Sequence, residues 1–482
     1  MSVNRRTLAV AIAVALIPAF SPLAAAEVDD ATLRALLDRL ERLEQRLGTE
    51  QPIATSAQPE PDQVVAELQQ RLAILERKIE IQAEEAAAKA PTTPAVSINE
   101  KGLAVKTPKG DFEFKVRGGL QLDHRAFLDD DDAFNDGFLF RRIRPTLEGR
   151  LGPLVGFRIT PELAEETASL IDATIDVNFD PRWSLRVGKM KGPVGLERLV
   201  SFSAMPMIER GFPTELAPSR EVGAQVFGEL AQGRVTYAIG LFNGAPDGRN
   251  GTASNSDGEH EWEGRVFLEP WRNAANALSG LGFGLAGSIG DKQGAGNNFL
   301  PRYRTPGQNV FFNYRSTVIA NGEHQRWSPQ AYCYRNALGL LGEYIVSEQD
   351  VGLTNNATAN TTLKHDAWQL TASWVLTGED ASYRGIAKPN QPFVAGADGW
   401  GAFELVARYG ELDVDDDAFP LYASADSAAS RAQAWGIGLN WYLTSNLKLV
   451  VNHARARFSG GAAGGADRED EKTVFSRIQV AF

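Results

Sequence analysis

The sequence predicts an all-β protein, a 16-stranded antiparallel transmembrane β-barrel with an N-terminal helical coiled-coil segment. Three observations carry this. From Asp111 to Phe482, apolar and polar residues alternate at period two in run after run, separated by Gly-, Asn- and Asp-rich stretches. Beyond the first 26 residues, no stretch of about 18 apolar residues occurs, so no transmembrane helix is expected. The mean hydropathy of -0.24 and 23% charged residues suit a barrel, because only alternate residues of a barrel strand face lipid. Finally, the chain opens on an export-type segment and closes on an alternating strand that ends in Phe482.

The segments follow in order. Residues 1–26 read as a signal peptide: Arg5 and Arg6 precede an apolar run from Leu8 to Phe20, and Ala24, Ala25 and Ala26 offer a cleavage site. Residues 27–94 read as a periplasmic coiled-coil stalk with Pro-rich linkers. Leu33, Leu36, Leu40, Leu43 and Leu47 take heptad a and d spacing, as do Val65, Leu68, Leu72, Leu75 and Ile79. Pro52, Pro59, Pro61, Pro91 and Pro94 break the helices between and after them. Two or three heptads are marginal alone, so the narrow apolar seams are expected to self-associate. Residues 95–482 read as the barrel. About sixteen strand runs are expected in it, from Phe112–Asp123 to Val474–Phe482. No crossover helix separates them, which makes the sheet antiparallel, and so large a sheet without covering helices must close or split. Tight turns at 178–182 and 444–446 contrast with long polar connections at 245–260, 291–325 and 380–399. Trp183, Trp262, Trp271, Trp368, Trp374, Trp441 and Tyr442 lie near strand ends, as interfacial girdles would.

The stretch from Phe138 to Gly149 holds three arginines in four residues. At period two, Leu139, Ile143 and Leu147 take one face, and Arg142, Arg144, Thr146 and Glu148 the other. In a barrel the first face meets lipid and the second a wet lumen. On the same parity Arg117, Arg150 and Arg158 point inward, with Asp123, Glu148, Glu162, Asp172 and Asp176. Arg141 falls on the lipid side, so it sits near an interface or a bulge breaks the parity locally.

Composition narrows the function classes. The formal net charge of -12 argues against a nucleic-acid partner. Cys333, the one cysteine, excludes an internal disulfide framework and a cysteine metal site. The five histidines sit in no recognisable motif, and no H-E-x-x-H or phosphate-cradling glycine loop occurs. An outer-membrane enzyme and a cofactor are therefore not expected. A barrel-anchored tether or adhesin stays open because of the stalk, although sixteen strands leave a wide lumen.

Arg141 to Gly149 is similar to the R-R-x-R-x-x-x-E-G segment of the phosphate- and polyphosphate-selective porin O/P family. So are the blocks Val187 to Glu197, Ile208 to Pro213, Leu216 to Arg220, Glu404 to Tyr409 and Ser476 to Phe482, in that order. The resemblance implies a homotrimeric outer-membrane porin whose third loop folds into the lumen, with selectivity for phosphate-like anions. It also implies a constriction lysine after the arginine strand, matched by Lys189 or Lys191, and a constriction carboxylate, matched by Asp172 or Asp176.

The stretch from Lys191 to Arg220 is long, apolar, and rich in Gly and Pro, which fits a loop tucked inside the barrel. Its basic residues with Lys189 are Lys191, Arg198, Arg210 and Arg220; its acids are Glu197, Glu209 and Glu215. A selective pore needs charge at its narrowest point, and arginine's planar fork suits phosphate. Arg117, Arg142, Arg144, Lys189, Lys191, Arg210 and Arg220 are the expected anion-contacting set. An arginine row facing a carboxylate row would instead give a general or weakly selective pore. Acid outside the constriction is concentrated at 129–132, 413–417 and 467–470, which suits divalent cations bridging to lipopolysaccharide.

Overall fold

The structure is a computed structural model that describes residues 94–482, apart from 129–134, 165–166 and 387, together with Arg77, Glu80 and Ile81. The expected signal peptide and coiled-coil stalk lie outside the described residues.

A short hairpin of β1 (Ala95–Asn99) and β2 (Gly102–Lys106) leads into β3 (Phe112–Phe127), β4 (Gly137–Leu151), β5 (Val155–Glu162) and β6 (Ser169–Asp180). There follow β7 (Trp183–Lys191), β8 (Arg220–Leu230), β9 (Val235–Phe242), β10 (Glu261–Leu268) and β11 (Leu281–Ala295). After β12 (Arg302–Arg304) and β13 (Val310–Asn313) come β14 (Val318–Arg335), β15 (Leu338–Leu353) and β16 (Asn356–Val375). The chain finishes with β17 (Ala402–Asp413), β18 (Ala429–Tyr442), β19 (Leu447–Gly460) and β20 (Glu471–Ala481). Setting aside the hairpin and the separate β12–β13 pair, sixteen strands pair antiparallel with their sequence neighbours. The barrel closes where β20 meets β3, in a register running from Thr473 opposite Phe127 to Ala481 opposite Gly119. Gly118 and Phe482 exchange backbone hydrogen bonds of 2.9 and 3.0 Å, which fix the C-terminus. Below that point β2 takes the place of β20 beside β3, pairing Leu103–Lys106 with Glu113–Val116.

Closure leaves none of the sixteen barrel strands with an unpaired edge, as lipid demands. The outward positions carry exposed apolar side chains, among them Ile175, Leu285, Ile437, Val451 and Ile478. Trp183 and Trp374 stand at the rim that holds the termini, and Phe138 and Trp262 at the other.

Three expectations change, and one element is new. In β4 the register slips so that Gln121 faces Arg142 while Leu122 faces Phe140, which bulges the strand at Arg141. Above the bulge, Phe138 and Phe140 point to lipid at 77% and 52% exposure, and Leu139 turns inward opposite Asp123. Ile143 and Leu147 keep the lipid face. The bulge also brings Arg141 inward beside Arg142. Second, part of the expected 291–325 loop is strand: β11 runs to Ala295 and β14 begins at Val318. Third, the long connection 376–401 joins the down-running β16 to β17, so it lies at the rim of the termini and short turns. The new element is the β1–β2 hairpin, which the alternation pattern did not mark.

Candidate functional site

The residues between β7 and β8 form the inward loop. Two one-turn helices, α1 (Leu196–Leu199) and α2 (Pro213–Leu216), lie in it. Val194, Leu196, Phe212 and Leu216 are buried at 2% exposure or less. Phe212 and Leu216 pack with Tyr303, Phe311 and Phe312 of the β12–β13 loop in one apolar cluster. Gly195 has φ +91°, and a Cβ there would stand 2.9 Å from the Cβ atoms of Ala217 and Arg198, so glycine is required at this turn.

Polar side chains on the far wall hold this loop across the barrel. Glu343 of β15 accepts from the Leu196 and Glu197 amides at 2.5 and 3.1 Å, capping donors that helix α1 leaves free. Arg408 of β17 donates to Glu197 Oε1 at 2.9 Å and to the Glu209 carbonyl at 2.7 Å. Arg477 of β20 binds Asp123 through both arms, at 2.6 and 2.8 Å, and the Ile208 carbonyl at 2.9 Å. Lys448 reaches the Met205 carbonyl at 2.9 Å, and Gln121 the Phe202 carbonyl at 3.2 Å. Glu343, Arg408, Lys448 and Arg477 of the far wall are thus committed to the loop. The water-accessible lumen is lined mainly by β3–β8.

There the structure encloses a cavity of about 2010 Å³, extending from Pro181, Asn446 and Phe482 at one rim to Arg249, Arg302 and Arg304 in loops of the other. Its lining holds twenty Lys or Arg and nine Asp or Glu. The whole chain carries -12, so the charge of the lumen is opposite in sign to that of the protein.

Many of the cations form pairs along the near wall. Arg117 and Arg158 share Glu148 at 3.3 and 2.8 Å. Arg144 meets Glu162 at 2.6 Å, Arg220 meets Asp172 at 2.8 Å, and Arg186 takes Asp176 in a two-pronged pair at 2.6 and 2.8 Å. Arg304 holds Glu215. Glu209 is a hub in the loop: Arg141 binds it through two nitrogens at 2.5 and 3.0 Å and Arg125 at 2.8 Å, while Arg142 stands 4.0 Å away. Burial penalises the Glu209 charge, but Arg141, Arg142 and Arg125 outweigh that penalty and hold its carboxyl well below the usual carboxylate range.

Three other cations, Lys191, Arg198 and Arg210, form no ion pair with a carboxylate among the described residues. Lys191 Nζ donates to the carbonyls of Arg198 and Val200 at 2.7 and 3.1 Å. Arg210 donates to the Glu197 and Val200 carbonyls at 3.1 and 2.8 Å, and Arg198 to the Thr214 carbonyl. Arg142, besides its 4.0 Å approach to Glu209, donates to Gln121 Oε1 at 2.6 Å. Carbonyls orient these groups without neutralising them.

The expected set is therefore partly assembled. Arg117, Arg142, Arg144, Lys191, Arg210, Arg220, Asp172 and Asp176 all line the cavity. Lys189 does not line it: it registers opposite Ala173 and Val222, on the outward face of β7. Lys191 shares its parity but ends the strand, where the chain turns into the lumen. Sequence reasoning missed Arg186, which its period-two position marks as inward. It also missed Arg304, Arg384 and Lys388, whose loops gave no sign of reaching the lumen.

A closed sixteen-stranded barrel with an inward loop and a charged lumen defines a channel of the bacterial outer membrane. The family model for phosphate-selective porin O and P matches residues 114–482, and the chain belongs to that family. Porin O of Pseudomonas aeruginosa is similar at 23% identity over 421 residues, 79% of this chain and 91% of that protein. An uncharacterized protein of Caulobacter vibrioides is 24% identical over 484 residues, 95% of this chain and 90% of its own. Among solved structures, the outer membrane channel DcaP of Acinetobacter baumannii shares the fold at TM-score 0.51 and 12% identity, covering 78% of this chain and 99% of that one.

Proposed function

We propose that this outer-membrane channel passes small anions of the phosphate class, with Lys191, Arg198 and Arg210 supplying the attraction at the inward loop. The observation that carries this reading is that these three cations are held by carbonyls and form no ion pair among the described residues. A fixed cation in a narrow, partly dehydrated passage attracts anions more strongly than it would in water. Arg142 and Arg144 flank this group; Asp172 and Asp176 hold Arg220 and Arg186 in place and limit how tightly an anion is retained. The family and the cationic lumen support the reading. Titration of chloride current with inorganic phosphate in planar bilayers tests it, and block by phosphate at millimolar concentration is expected.

A second reading rests on the pairs Arg144–Glu162, Arg220–Asp172 and Arg186–Asp176. A row of such pairs supplies a transverse field, as in a general pore. Phosphate without effect on chloride current would favour it. The proposal also takes the pore as a homotrimer in contact with lipid and lipopolysaccharide, with an N-terminal coiled coil in the periplasm. Crosslinking of the full chain and of a chain lacking 27–94 tests both assembly and stalk.

A further inference from the structure

Glu221 of β8 and Glu261 and Glu263 of β10 lie behind the start of the inward loop and do not line the lumen cavity. All three are buried at 1% exposure or less. One carboxylate oxygen from each lies within 4.8 Å of the others. Glu261 is served by Lys292 at 2.5 Å and by Arg326. Glu221 and Glu263 are different: neither oxygen of either carboxylate has a donor. Such a group is costly to bury.

Two further features lie beside the cluster. Gln225, one inward position past Gly223 on β8 and at the edge of the lumen cavity, also has a buried amide oxygen without a donor. It registers across Gly240 of β9 from Glu263, and glycine leaves that gap open. On the other side, Gly192 lies so close that a Cβ there would stand 1.9 Å from Glu263 Oε2. Charge does not balance either. Arg326 also holds Asp247 at 2.6 Å, so four carboxylates share Arg326 and Lys292, a surplus of two negative charges. His324, 3.3 Å from Asp247, does not change this, because its Nδ1 accepts from Arg326 and the ring is neutral.

We infer that Glu221, Glu261 and Glu263 bind one divalent cation of the calcium type, which closes the charge deficit and pins the start of the inward loop to β8 and β10. Oxygen atoms within 4.8 Å of one another fit a sphere of Ca²⁺–oxygen radius, about 2.3–2.6 Å. The smaller Mg²⁺ keeps its waters and demands a regular octahedron. The competing arrangement is a proton shared between Glu221 and Glu263.

Equilibrium dialysis of the purified, chelator-stripped full chain against radioactive Ca²⁺ separates the two. The wild type is expected to hold one more Ca²⁺ per chain than Glu221→Gln/Glu263→Gln, with a dissociation constant of about 10⁻⁴ M, in the range of extracellular calcium modules. Equal binding by the two proteins overturns the proposal in favour of the shared proton. Melting of the wild type in detergent gives a second reading: Ca²⁺ should raise its Tm by several degrees over chelator and leave the double variant unmoved. If the variant does not insert, the wild type decides alone, and a Tm indifferent to Ca²⁺ overturns the site.

Discussion

Arg408→Met tests whether the inward loop is the constriction. The substitution keeps the apolar stem of the side chain and removes the guanidinium that joins β17 to the loop at Glu197 and Glu209. Glu197 is 2% exposed, and Arg408 is its ion-pair partner. It would keep Gln369 at 2.9 Å and the Gly211 amide at 2.8 Å, both neutral donors. Breaking a buried pair on one side costs about 3–5 kcal/mol, which here opposes keeping the loop tucked in. At 1.4 kcal/mol per factor of ten, the balance between tucked and displaced loop shifts by roughly two to three and a half decades. The barrel ladder is untouched, so the protein should still insert. Single-channel recording should show larger and noisier conductance, with weaker ion selectivity as Arg198 and Arg210 leave the path. Wild-type conductance, noise and selectivity in this variant would refute the loop as the narrowest point.

Further predictions concern single groups. Lys191→Gln removes a cation from the lumen, and one unit charge at about 4 Å is worth about 1 kcal/mol even in bulk water. The chloride-to-potassium permeability ratio should fall severalfold, whereas Lys189→Gln on the outer face should leave it unchanged; both are read from reversal potentials. Asp172→Asn releases Arg220 from its 2.8 Å pair and should raise the same ratio. Arg142→Ala with Arg144→Ala should weaken phosphate block of chloride current; unchanged block would assign both residues to structure. Gly195→Ala, strained at φ +91° and crowded by Ala217 and Arg198, should lower Tm or loosen the loop, seen as added current noise.

Strands with one lipid face and one wet face were readable, because period two survives wherever small or charged residues alternate with large apolar ones, as in β3, β17 and β20. The hidden strand was β14. Its inward positions are His324, Arg326, Ser328 and Gln330, all buried against loops rather than bathed in water. Its outward side carries Pro329, and Gly322 lies at a register shift. Asn-Gly followed by charges and a proline reads as loop, although the ladder tolerates it. The arginine stretch was readable in type but not in register. Arg141 on the lipid parity allowed a bulge or an interface position without choosing between them, and the bulge there moves Leu139 inward and Phe140 outward. The inward loop showed itself by composition, while its anchors did not. Arg408 and Glu197 lie 211 positions apart, and only closure of the barrel brings them together.

The account rests on the sign and source of the lumen's field. Its most direct test is the reversal potential of the wild-type channel across a KCl gradient, repeated with inorganic phosphate. A potential on the chloride side of zero, with chloride current blocked by phosphate, is the result the account predicts. A potassium-side potential would contradict it, since a passage lined by twenty basic and nine acidic residues could not then be setting the selectivity.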